Sequence, residues 1–194
     1  VSADWGDIDN DGDLDLSVIS YEGPVGGQTP LNALFRNDGV AGFVNLLTKD
    51  SPLNVADHAS QFVDYDNDGA IDLSVTDGYG PKGGHFLFRN AMPEAAKARA
   101  LSVLVLDDQG HQTRFGAEVR LFDGAGRVLA TRPVVTGGGY NSQRAGPVHF
   151  GLVALAPVRV EVTFMSKTGR KTQTMNGVKP TDYRGKSLVI RQAQ

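Results

Sequence analysis

Asp7-Ile8-Asp9-Asn10-Asp11-Gly12-Asp13-Leu14-Asp15 and Asp64-Tyr65-Asp66-Asn67-Asp68-Gly69-Ala70-Ile71-Asp72 write one nine-residue pattern twice. Carboxylates at positions one, three and five, with a glycine at six to allow a sharp backbone turn, suit a loop that surrounds a hard cation with oxygen ligands. Position seven, Asp13 or Ala70, is assigned a backbone carbonyl ligand, which explains why an alanine is tolerated there. Asp-Gly and Asn-Asp pairs also form ordinary turns. However, five acidic groups within nine residues, as in the first copy, repel one another without a cation, and the pattern recurs. The expected ligand set is Asp7, Asp9, Asp11, Asp13 and Asp15 for one calcium ion and Asp64, Asp66, Asp68, Ala70 and Asp72 for a second.

An EF-hand requires an acidic residue at position twelve followed by a helix, but position twelve is Val18 in one copy and Val75 in the other. The last carboxylate comes instead at position nine, and Leu16-Ser17-Val18-Ile19 or Leu73-Ser74-Val75-Thr76 follows, a short β-prone run. Each loop is therefore predicted to close onto a strand. The copies start 57 residues apart, and a second landmark, Leu34-Phe35-Arg36-Asn37, recurs 53 residues on as Leu87-Phe88-Arg89-Asn90. The first unit thus carries four extra residues, placed in the Gly/Pro-rich stretch around Glu22–Pro30 as a surface loop. Each unit reads as strand, cation loop, strand, glycine-rich turn and strand, the content of a β-propeller blade.

These loops and the trailing Leu-Phe-Arg-Asn resemble the FG-GAP/VCBS repeats of integrin α-type propellers. The resemblance implies calcium on one rim of a propeller, carried over only to the ten loop positions named above. Two units cannot close a ring that needs about four to eight blades. Val1 lies so close to the first loop that no counterpart of Gly42-Phe43-Val44 fits before it, so the parent protein is expected to be longer at its amino end. Trp5 and Phe62, each two residues before a loop, are expected to anchor the two units in their cores.

The net charge of −3 conceals a division: residues 1–90 carry −11 and residues 91–194 carry +8. Two calcium ions would reduce the first figure to −7, so the stability of that half is expected to depend on the ion. The stretch Met92–Ala100 marks the charge boundary with linker or short-helix character, dividing the chain into 1–92 and 99–194. There is no cysteine, which excludes disulfides, and no apolar run of membrane-spanning length.

Beyond the boundary, Leu101–Leu106 reads as a buried strand, and Ala117–Phe122 runs into an Asp123-Gly124-Ala125-Gly126 turn. Val158, Val160, Val162 and Phe164 fall on one face of a further strand, opposite Arg159, Glu161 and Thr163. This predicts a small antiparallel β sandwich or barrel with one face wet. Phe115–Val119, Thr136-Gly137-Gly138-Gly139-Tyr140-Asn141-Ser142-Gln143 and His149-Phe150-Gly151-Leu152 resemble the ASPIC/UnbV domain. That domain follows FG-GAP repeats in secreted and cell-surface proteins similar to cartilage acidic protein.

No catalytic constellation is complete. Gly137-Gly138-Gly139 lacks the Gly-Lys-Ser/Thr continuation of a phosphate loop, and Gly78–Gly84 fails the same test. Ser142 and His149 sit near each other in sequence, but no Gly-x-Ser-x-Gly elbow surrounds the serine. The four histidines, His58, His85, His111 and His149, lack zinc-type pairing. Lys167, Arg170 and Lys171 read as a solvated face in preference to a polyanion site, and no specific nucleic acid is expected. The expectation is an all-β protein of partial propeller-type repeats plus a sandwich or barrel, secreted, periplasmic or surface-bound. Its expected role is to bind an extracellular protein or glycan, with self-association through unfinished sheet edges also open. The alternative is an enzyme, or the accessory part of one, acting on glycans or secreted metabolites at the domain junction or in missing blades.

Overall fold

A computed structural model describes residues 2–20, 32–55, 58–77, 84–140, 142–167 and 169–193. The Glu22–Pro30 surface loop and most of the Gly78–Gly84 turn lie outside these residues. The described residues form fourteen strands and one short α-helix, so the all-β expectation holds.

The first unit is a four-stranded antiparallel meander of β1 (Ser2–Gly6), β2 (Asp15–Ile19), β3 (Ala33–Asn37) and β4 (Phe43–Asn45). The second is a three-stranded meander of β5 (Ala59–Val63), β6 (Asp72–Asp77) and β7 (Gly84–Phe88). In each, the nine-residue loop joins the first two strands, and the registers correspond: Gly6 opposes Asp15 as Val63 opposes Asp72. The landmark Leu-Phe-Arg-Asn supplies most of the third strand in the first copy. The meanders stack face to face. Ile19 from the first meets Phe62, Ile71, Leu73 and Val75 from the second in one buried apolar cluster. Ser17 and Ser60 are hydrogen-bonded across the stack at 3.0 Å, and Gly6 admits the Phe62 ring where a Cβ would collide with it. Among the described residues the two meanders close no ring.

Trp5 departs from the expectation. It occupies the position in β1 that Phe62 occupies in β5, opposite Leu16 as Phe62 is opposite Leu73. Phe62 is 5% exposed, whereas Trp5 is 48% exposed and meets Phe43 edge-on at 6.3 Å. The physical reason is stacking order: the first meander covers the Phe62 face, whereas Trp5 lies on the opposite, outward face of its own meander and is covered only in part.

A short helix, α1 (Glu94–Lys97), leads into the second half, where the linker reading put a boundary. There β8 (Ala100–Leu106), β9 (Glu118–Phe122), β10 (Val128–Pro133), β11 (Val148–Gly151), β12 (Val158–Ser166), β13 (Gly169–Val178) and β14 (Leu188–Arg191) form two sheets, ordered β10-β9-β12-β13 and β11-β8-β14. One core joins them: Leu101, Val103 and Val105 from one sheet pack with Val119, Leu121, Val160, Val162 and Phe164 from the other. This is the sandwich of the two alternatives, with alternation setting the inward face. It is not wholly antiparallel, because β14 runs parallel to β8. The chain from β12 returns through β13 and a turn at Pro180–Tyr183 before adding this edge strand, a connection long enough to permit parallel pairing. Lys167, Arg170 and Lys171 lie exposed around the β12–β13 hairpin.

The halves dock closely through glycines. A Cβ at Gly151 in β11 would overlap the Asp7 carboxylate and come within 2.5 Å of the Asn10 backbone. Gly138 and Gly139 lie equally tight on Asp4 and Ser2 of β1. Two of the three glycines that superficially suggested a phosphate cradle are a close-packing device between halves, and Gly137 packs on Ser142 of its own turn. Arg144 fastens the same place, donating to Asp4 Oδ2 at 2.5 Å and to the Phe62 carbonyl at 3.2 Å.

Candidate metal centres

The two loops share a backbone dictated by their sequence. Asn10 and Asn67 at position four take the left-handed conformation (φ 56° and 57°), and Gly12 and Gly69 at position six have φ of 99° and 92°. Asparagine and glycine are the residues for which such angles cost least. The turn brings backbone N–H groups onto the position-one carboxylate: Asp7 accepts from Asp11 (3.1 Å) and Gly12 (2.9 Å), and Asp64 from Asp68 and Gly69 (both 3.1 Å). The position-nine carboxylate is pinned from two sides, by the position-two N–H of its own loop and by the asparagine that ends Leu-Phe-Arg-Asn. Asp15 accepts from Ile8 and Asn37, both at 2.7 Å, and Asp72 from Tyr65 at 3.3 Å and Asn90 at 2.7 Å.

This assigns the recurring Leu-Phe-Arg-Asn a role that its repetition signalled without explaining. Its asparagine locks the last carboxylate of each loop, and its side chain reaches back to the Leu14 carbonyl in one unit and to the Ile8 and Ile71 carbonyls in the other.

The outcome is one triad of carboxylates per loop, Asp7 with Asp9 and Asp15, and Asp64 with Asp66 and Asp72, each offering oxygens within 4.8 Å of one another. Oxygens bound to one calcium at 2.3–2.6 Å can stand at most about 5 Å apart, so this spacing fits the ion. Of the other expected ligands, Asp11 and Asp68 stand outside the triads. Each is drawn back onto its own loop, with Oδ1 accepting the position-seven N–H of Asp13 or Ala70 at 2.9 Å. The Asp13 and Ala70 side chains are likewise outside, as befits positions assigned a backbone carbonyl.

Burial pushes Asp7, Asp15 and Asp64 up to about 6, partly offset by their backbone hydrogen bonds. Burial raises Asp9 and Asp72 as well. Clustered, desolvated carboxylates resist ionisation unless a positive charge joins them. Asp9 Oδ1 is also buried with no hydrogen-bond partner, a vacant acceptor inside the first triad.

The second loop differs. Arg89 forks onto Asp66 (3.0 Å) and Asp68 (2.9 Å), and Lys97 from α1 reaches Asp68 at 2.8 Å. Burial would raise Asp68, but Lys97, the Ala70 N–H and Arg89 together hold it below the usual carboxylate range. In the first loop the equivalent Arg36 turns away to Asp38 at 2.6 Å.

Asn10 is the residue that sequence reading missed. Fully buried, it donates Nδ2 to the carbonyls of Gly69 (2.9 Å) and Ala96 (3.1 Å), and its Oδ1 accepts from His149 Nε2 at 2.8 Å. One side chain therefore ties the first loop to the second loop, to α1 and to the sandwich. Asn67, its counterpart, is exposed. His149 is so committed to Asn10 that it does not pair with Ser142, whose hydroxyl donates to the Gly139 carbonyl at 3.1 Å. Burial, with the charges of Arg132 and Arg144, pushes the imidazole down to about 4.

Residues 107–193, which include every strand of the sandwich except β8, match the family model described as ASPIC and UnbV, the family its motifs resembled. No curated protein and no solved structure matches the chain. Among the described residues no helix is long and apolar enough to cross a membrane.

Proposed function

We propose that this chain is a calcium-stabilised interaction module of the FG-GAP/VCBS type, coupled to an ASPIC/UnbV domain and without catalytic activity of its own. The observation that carries the reading is the pair of equivalent carboxylate triads, each spaced for one hard cation. Two calcium ions held by Asp7, Asp9 and Asp15, and by Asp64, Asp66 and Asp72, bring a half of net charge −11 to −7 and fix loops on which the sandwich rests. The ions are structural in this reading. Modest-affinity sites of this kind suit millimolar external calcium, hence a secreted, periplasmic or surface location. The partner is an extracellular protein or a glycan, with self-association through open sheet edges as a further route.

The test is thermal unfolding with excess calcium, with magnesium alone and after chelation, for the native chain and for Asp9→Ala/Asp66→Ala. The expected result is a calcium-specific rise that the double variant loses. Equal unfolding temperatures under all three conditions would overturn the proposal.

A further inference from the structure

Stacking of the two meanders has a direction. Residues paired across neighbouring strands share a face, so the registers put Asp4, Gly6, Ser17 and Ile19 on one face of the first meander and Ala3, Trp5, Leu16 and Val18 on the other. The first of these faces covers the second meander. Gly6 admits the Phe62 ring, Asp4 accepts the Phe62 N–H at 2.7 Å, and Ile19 and Leu34 enter the shared apolar cluster. The face they cover is built from Ser60, Phe62, Leu73 and Val75, all 5% exposed or less. Position for position, these are Ala3, Trp5, Leu16 and Val18 of the first meander. There the same face is extended by Phe35 and Phe43. Trp5 and Phe43 are nevertheless 48% and 52% exposed, and they meet edge-on. A face that is core in one copy of the repeat is surface in the other.

Repeat units of this size bury their apolar faces on their neighbours, because none can bury its own. Contiguous exposed apolar faces mark interaction sites. We propose that the Trp5 face docks a further unit of the same repeat, which offers it a glycine in the place of Gly6 and aliphatic side chains in the places of Ile19 and Leu34. The direction of stacking puts that unit ahead of the first, as the first is ahead of the second. Docking of this kind rests on the repeat and its stacking, and needs no bound ion. A second copy of this chain is a poor occupant. Its second meander carries Val63 and Thr76 where the first has Gly6 and Ile19, so a side chain stands where the ring must enter. Gln61, Val63 and Ser74 on that face also line a cleft whose other wall includes Arg132, Pro133 and Val135, so the sandwich already faces them. Two Trp5 faces brought together would oppose two halves of net charge −11.

The test is a chain in which residues 1–57 are repeated ahead of Val1, which keeps the 57-residue spacing of the loops. The added copy carries Trp5→Phe, so the native Trp5 stays the single tryptophan. Acrylamide quenching of Trp5 is compared in the native and extended chains, in excess calcium and after chelation, while amide exchange reads the folding of the added unit. The expected result is quenching about threefold lower in the extended chain, with emission moved to shorter wavelength, as for a tryptophan ring taken out of water. Gly6→Leu in the added copy fills the space that admits the ring and should return quenching to the native level. Protection of Trp5 with calcium and after chelation alike would uphold the stacking even where calcium has no effect on unfolding, so the two proposals fail separately. An added unit that folds beside an equally quenched Trp5 would overturn the proposal. So would an added unit that stays unfolded, since the same sequence folds where it has a neighbour to cover. Light scattering of the native chain completes the test: a doubled mass, with quenching that falls as the chain is concentrated, would give the face to a second copy and overturn the proposal as well.

Discussion

The two cation loops have one backbone and two different fates. The first is sealed into the molecule: Asp7 and Asp15 are about 1% or less exposed, Asn10 is fully buried, and Gly151 of the sandwich presses on the loop. The second faces outward, with Asp66 and Asn67 exposed and Arg89 and Lys97 laid across its carboxylates. A repeated sequence therefore yields one loop whose triad has no basic side chain paired with it among the described residues and one whose acids already hold cationic side chains. The contrast teaches that affinity in such a loop is set by what surrounds it as much as by its ligands.

Position four should give the largest separation. Asn10→Ala removes the hydrogen bonds to Gly69, Ala96 and His149 and leaves those buried groups unpaired, a loss of about 2–4 kcal/mol. Asn67→Ala loses only the tolerance of asparagine for a positive φ, about 1 kcal/mol. Urea unfolding of both variants measures the difference, and equal losses would break the claim that the first loop is the keystone between the halves.

The second effect is on the ion. In the native chain the first loop should fill at lower calcium, because no side chain must be displaced, while Arg89 and Lys97 compete in the second. Trp5, two residues before the first loop, reports on that site separately. Arg89→Gln should raise the affinity of the second loop about tenfold, equivalent to about 1.4 kcal/mol, and bring the two phases of a calcium titration together. Arg36→Gln, whose arginine pairs with Asp38 beyond the triad, should leave both phases in place. Convergence in neither variant would show that the arginine swings away at no cost.

What the sequence revealed and concealed divides along the same line. The loops, their closure onto strands, the repeat and the sandwich alternation at Val158, Val160, Val162 and Phe164 were legible because each depends on local spacing. That the loop acids cluster was legible too, but the reading gave five positions per loop where the carboxylates of three converge, and Asp11 and Asp68 fold back on their own loops. The bond from Asn10 to His149 and the exposure of Trp5 were hidden. Each follows from which surface packs on which, between residues as much as 139 positions apart, and no periodicity records that. The parallel β8–β14 pair was hidden for the same reason, since strand order is a long-range property.

The smallest effect is the pH dependence, and its sign can be fixed. Burial raises Asp7 and Asp15 from an ordinary 3.8 to about 6, so the ion-free folded state binds their protons more tightly than the unfolded chain does. Their contribution to stability is thus fully present below about 3.8 and lost as pH rises through about 6. Calcium reverses the dependence, because the ion needs both carboxylates ionised and is expelled as pH falls through the same range. The unfolding temperatures with calcium and with chelator should therefore differ most above pH 7 and converge towards pH 5. Of the position-one and position-nine acids in the second loop, only Asp64 is pushed to about 6 and Asp72 is raised by burial, while Asp68 at position five is held low by Lys97, the Ala70 N–H and Arg89. Acid should accordingly release calcium from the first loop with a steeper proton dependence than from the second. Fluorescence of Trp5 during a pH titration at fixed calcium reads the first loop, and Asp9→Ala leaves only the second to be followed by calorimetry. Identical proton slopes for the two loops would mean that burial of Asp7 and Asp15 does not distinguish them, and the comparison would then rest on Arg89 alone.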